Sequence, residues 1–235
     1  MALHERVASV APMTRRDRKL AAGLTAALVV VTIGVALGAF TGFDQFFLDH
    51  FMPWLVPGDR GNGGHAGFWR PFRLHTSNGL KLLDVVTYPC SVLVSGLVVA
   101  VAAVVLRPRL GLFAALAPAC AWVVGNAIEV FLKATVVRPA LYGSVGPDRV
   151  HVVTFDDSFA SGHMMRGLIV AYTLTLFWRR ASPWVWIWAA LVGPSLVLVS
   201  AHAASDVIGG ALVGLLVLVP ANAVIREARR ERGLA

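Results

Sequence analysis

Ser158-Phe159-Ala160-Ser161-Gly162-His163 stands directly ahead of one apolar run, and His202-Ala203-Ala204-Ser205-Asp206 stands directly ahead of another. Each places a histidine at the mouth of a long uncharged stretch. Ionisable groups at such positions are expensive unless they are partnered or functional. The reading of the whole chain therefore turns on what surrounds these two histidines.

The surroundings are membrane-like. Of 235 residues, 57% are hydrophobic and 14% charged, and the mean hydropathy is +0.70. Uncharged windows run over 21–42, 85–106, 110–128, 167–178, 181–205 and 207–225. Most reach the ~20 residues that carry a helix across ~30 Å of hydrocarbon. The window 167–178 is short, and it spans only if its helix begins near His163 with Arg166 at the interface. No strand alternation or heptad seam competes. The expectation is an all-α polytopic membrane protein of six transmembrane helices.

Basic residues divide the loops into two sets. Arg6, Arg15, Arg16, Arg18 and Lys19 precede the first span; Arg107 and Arg109, Arg179 and Arg180, and Arg226, Arg229, Arg230 and Arg232 flank later ones. By the positive-inside rule both termini are cytoplasmic. This predicts a basic arm over 1–20, a membrane domain over 21–225 and a basic tail over 226–235, in the plasma (inner) membrane. His163 and His202 then share the outward face. The net charge of +8 reads as orientation and anionic-lipid attraction, which excludes nucleic acid as the expected partner.

Other features are quieter. Cys90 and Cys120 lie in apolar spans as small hydrophobes and predict neither a disulfide framework nor a metal cluster. The first apolar stretch is long for a signal sequence and reads as an uncleaved anchor. Trp54, Pro57, Gly58, Trp69 and Pro71 mark an irregular first outer loop with an interfacial segment over 68–74. His50, His65, His75 and His151 read as solvated loop histidines, and Asp156-Asp157 as a loop cap.

The chemistry lies in spacing. Asn126, Glu129 and Lys133 are three and four residues apart and share one face of the third span, which must look at protein or water. Glu129 and Lys133 form a stabilising pair, or Lys133 meets a ligand at the outer mouth. His202 and Asp206 stand at i,i+4, which lets the carboxylate orient one imidazole nitrogen and leaves the other as nucleophile. Ser161-Gly162-His163 opens a helix, whose free N–H groups form an anion site. Together these supply an oxyanion cradle, an acid and a nucleophile.

Lys133, the block Ser158 to His163, and Ser195 with His202, Asp206 and Val207 resemble the three signature blocks of the type 2 phosphatidic acid phosphatase (PAP2) superfamily, which also includes vanadium haloperoxidases. The resemblance covers about 129–214. It implies a six-helix PAP2-like bundle with an outward site that needs no metal or cofactor. It implies further that His202 attacks phosphorus, Asp206 orients it, and His163 protonates the leaving group, while Lys133, Ser161 and the Gly162 amide hold the phosphoryl oxygens. The chain departs from the pattern in three places. Ala140 and Leu141 stand where the family has Arg-Pro, and Arg138-Pro139 comes two residues early. Leu196 replaces the arginine of the third block, and Ala160 the proline of the second. Arg138 and Arg166 are the candidate replacements; alternatively Arg166 snorkels or pairs with Asp156, Asp157 or Glu129.

The resemblance implies a lipid phosphatase acting on a polyprenyl, phosphatidyl or glycolipid-carrier phosphate or diphosphate through a phosphohistidine. The missing arginines keep open a catalytically impaired relative that binds lipid phosphate or assembles with membrane proteins or with itself. A lipid phosphotransferase differs only in the acceptor.

Overall fold

The structure is a computed structural model that describes residues 13–51, 85–144, 150–153, 158–198 and 201–234. Seven helices and a hairpin make up these residues. Helix α1 (Arg15–Ala36) starts at Thr14, whose hydroxyl accepts from Asp17 N at 3.1 Å while the Asp17 carboxylate accepts from Thr14 N at 3.0 Å. This reciprocal cap satisfies donors that the first turn leaves open. The sequence window extends this helix to 42, but it breaks earlier, where Gly38 takes a φ of 76° and a side chain would strike Pro139. The chain re-forms as α2 (Thr41–Phe51), a short helix inside what the sequence presents as irregular loop.

A 3₁₀ turn, Tyr88–Cys90, leads into α3 (Val92–Leu110), which reverses at Gly111 into α4 (Leu112–Thr135). Strands β1 (Leu141–Ser144) and β2 (Val150–Val153) pair antiparallel with Leu141 opposite Val153 and Ser144 opposite Val150. This hairpin is an addition to the expected all-helical class. Helix α5 (Gly162–Phe177), a 3₁₀ turn Arg179–Ala181, α6 (Ser182–Leu198) and α7 (Ala204–Glu231) complete the bundle. Helix α1 begins at Arg15 and α7 ends at Glu231. The segment 68–74, Asp156, Asp157, His65 and His75 lie outside the described residues.

Among the described residues, five helices are long and apolar enough to cross a membrane: Arg15–Ala36, Val92–Leu110, Leu112–Thr135, Arg179–Leu198 and Ala204–Glu231. The protein is an integral membrane protein. Helix α5, expected as the sixth span, has 16 residues and so reaches only about 24 Å at 1.5 Å per residue. It is also the most enclosed, with Met165, Ile169, Val170 and Ala171 at 1% exposure or less. A helix wrapped by protein need not match the thickness of the lipid.

Glycines allow the tight wrap. A Cβ at Gly210 of α7 would stand 2.2 Å from Ser161 O, and one at Gly214 would stand 3.1 Å from Met165 O, so α7 lies against α5 almost backbone to backbone.

The basic clusters gather at one end. Arg226 of α7 binds Asp17 of α1 at 2.6 Å, and Arg232 donates to Pro108 O at 3.3 Å. Arg179 and Arg229 line one shallow cavity with Tyr172 and Asn222. Both termini of the described bundle are therefore on the same end. At the opposite end α2, the start of the hairpin, the 158–161 segment and the mouth of α7 converge.

Candidate active site

Asp206 is built into the first turn of α7. Its Oδ2 accepts from Ala203 N at 3.0 Å, which closes the helix start, and its backbone O accepts from Ser161 N at 2.9 Å. That second bond ties the entrance of α5 to the entrance of α7, with Gly209 and Gly210 leaving room for Phe159, Ala160 and Ser161. Ser158 donates to Asp206 Oδ2 at 2.6 Å, and Arg138 Nη1 to Oδ1 at 2.9 Å. Asp206 is wholly buried and has its acceptor sites well filled.

The two histidines stand close to each other. The rings of His163 and His202 lie 6.2 Å apart centre to centre, tilted by 56°. His202 Nδ1 stands 3.6 Å from Asp206 Oδ2, beyond hydrogen-bond range, and among the described residues this buried nitrogen has no hydrogen-bond partner. Ser161 is fully buried and caps α5, its hydroxyl accepting from Met164 N at 3.4 Å.

The cations fall into two clusters. Arg138 bridges Asp206 and Asp44, its Nη2 donating to Asp44 Oδ2. Asp44, on α2, also accepts from Ser205 N at 2.8 Å and from Ser205 Oγ at 2.6 Å. In the second cluster Glu129 sits between Lys133 Nζ and Arg166 Nη1, each at 2.7 Å. Arg166 also donates from Nη1 to Asn126 Oδ1 and from Nε to Cys90 O, both at 2.8 Å. The face read from Asn126, Glu129 and Lys133 is real, and Arg166 docks on it.

The structure therefore brings His163, His202, Asp206, Ser161, Gly162, Lys133 and Arg138 to one end of the bundle, with Arg166 one turn along α5. It gives both arginines carboxylate partners. Three cations, Lys133, Arg138 and Arg166, meet three buried carboxylates, Glu129, Asp44 and Asp206. Asp44 escaped the sequence reading. Its signal was a lone carboxylate among Phe43, Phe46 and Phe47, where a charge needs a buried partner.

A sequence model described as the PAP2 superfamily matches residues 109–230, more than half of the chain. The chain belongs to the PAP2 superfamily. Among solved structures it is similar to the first transmembrane PAP2-type phosphatidylglycerolphosphate phosphatase from Bacillus subtilis. The likeness has a TM-score of 0.51 and 18% identity, and it covers 85% of this chain and 93% of that one. At that identity the likeness speaks for the PAP2 membrane fold. No curated protein sequence matches the chain. The matched region takes in both histidines, Lys133, the glycine contacts of α7 and both arginines.

Proposed function

We propose that this PAP2 protein is a lipid phosphatase whose site opens at the end of the bundle opposite the basic clusters, on the outer face of the plasma membrane. One observation carries the reading. Two imidazoles from different helix mouths face each other across 6.2 Å, beside the N-terminus of α5 and within reach of Lys133. Phosphoryl transfer asks for little beyond an in-line nucleophile and acid with donors around the equatorial oxygens.

In this reading His202 Nε2 attacks phosphorus as the bond to the lipid oxygen breaks, and His163 gives that oxygen a proton. Water, deprotonated by His163, then attacks the phosphohistidine, releasing phosphate and restoring His202. Asp206 steadies the imidazolium once the ring closes the present 3.6 Å gap. Ser161, the Gly162 amide and Lys133 hold the phosphoryl oxygens. Arg138 and Arg166 act at one remove. Arg138 fixes Asp206, and Arg166 fixes Glu129.

A second reading has its own support. With its three cations already paired, the cluster favours a relative that binds lipid phosphate weakly and turns it over poorly. Purified protein in detergent, free of divalent metal, separates the two when incubated with phosphatidic acid, polyprenyl phosphates and diphosphates, and phosphatidylglycerolphosphate. Phosphate release from any of them, falling about 10³-fold or more in His202→Ala, is the expected result. No release across the panel favours the binding role.

A further inference from the structure

Glu129 holds an unusual place for a residue in a phosphate site. Its carboxylate lies against Gly162, the first residue of α5, so closely that a Cβ there would fall 2.0 Å and 2.1 Å from its two oxygens. That is the ground where the α5 amides and Lys133 would receive an oxyanion. Glu129 is 7% exposed and ion-paired on both sides. The site thus contains an anion of its own.

The two partners of Glu129 differ in freedom. The Arg166 side chain is 5% exposed and also pinned by Asn126 and Cys90 O. Lys133 is 32% exposed, and its ammonium on a flexible stem makes no second hydrogen bond among the described residues. An incoming phosphate can therefore draw Lys133 away while Arg166 keeps Glu129 compensated. The second cluster offers no such exchange, because Arg138 is buried between Asp44 and Asp206.

We infer that Glu129 is a charge discriminator: its carboxylate competes for Lys133 and the mouth of α5, so that a dianionic terminal phosphate displaces it and the monoanionic phosphodiester headgroup of an ordinary phospholipid does not. The physics is a comparison of charges. A phosphodiester carries one negative charge and merely replaces the one already there. A terminal phosphate, with a second ionisation near about 6, carries close to two at neutral pH and gains the extra attraction. For an enzyme immersed in phosphodiester headgroups, this exclusion keeps the site open to its substrate.

The inference rests on the phosphatase reading, and the test separates the two. In a His202→Ala background, binding of phosphatidic acid and of phosphatidylglycerol in mixed micelles is followed by the shift in melting temperature across a lipid titration. With Glu129 present, phosphatidic acid is expected to bind about tenfold or more tighter, a difference of about 1.4 kcal/mol or more. Glu129→Gln should narrow the ratio to about threefold or less, chiefly by gain of phosphatidylglycerol binding. Glu129→Asp, which keeps Arg166 compensated but falls short of Lys133, should move the ratio the same way and serves if the Gln variant does not fold. An unchanged ratio in the folded variants overturns the inference. So does a Glu129→Gln effect of the same size when both proteins compared already carry Lys133→Gln, since Lys133 is the group competed for. Absence of phosphatidic acid binding in this background, together with absence of phosphate release in the unaltered protein, overturns the phosphatase reading instead.

Discussion

The two ends of the bundle use the same chemistry, an arginine on an aspartate, to opposite effect. At the basic end Arg226 meets Asp17 with the arginine side chain 42% exposed. At the other end Arg138 meets Asp44 and Asp206 with the arginine 3% exposed and both carboxylates sealed. An exposed pair is screened and contributes ~0–1 kcal/mol. A sealed one is costly to assemble and more costly to break, because losing one partner strands a bare charge in a low-dielectric interior, about 3–5 kcal/mol. The basic end is a screened fastening; the polar end is an organised cluster that stands or falls together.

Breaking that contrast gives a graded set of outcomes. The largest change in stability is expected from Arg138→Ala, which leaves Asp44 and Asp206 uncompensated. It should lower unfolding stability by about 3–5 kcal/mol, read by thermal melting in detergent, with phosphate release lost alongside. Arg138→Lys should recover part of the stability, since charge returns without the two-pronged fork. Next comes Gly210→Ala, whose methyl would press on Ser161 O at 2.2 Å. It should cost about 1–3 kcal/mol by forcing α7 away from α5, and should reduce turnover through displaced His163. Smallest is Arg226→Ala, expected within about 1 kcal/mol and without effect on phosphate release. A loss in Arg226→Ala as large as that in Arg138→Ala would erase the distinction between the ends.

What the sequence could and could not tell follows the same divide. Local spacing was enough for the groups within one helix. The i,i+4 pair of His202 and Asp206 and the stripe of Asn126, Glu129 and Lys133 were legible because a helix fixes which positions are neighbours. Resemblance to family blocks then brought His163, Lys133 and His202 to one site. Neither route could join Asp44 to Arg138, since α2 and the segment after α4 meet only through the packing of the whole bundle. Hydropathy smoothed over the break at Gly38, which turns on one φ angle and on Pro139. The partner of Arg166 was one of three named acids, and only the docking of α5 on α4 selects Glu129.

The shortness of α5 has a consequence for counting. Among the described residues five helices are long and apolar enough to cross a membrane, and α5 is not one of them. The bond from Arg226 to Asp17 holds the start of α1 and the end of α7 at one end of the bundle. The helix that begins at Gly162 has a brief apolar run, and its neighbours, not acyl chains, are its solvent. In this bundle the element that carries His163 is one that length alone leaves out and burial brings back into the core.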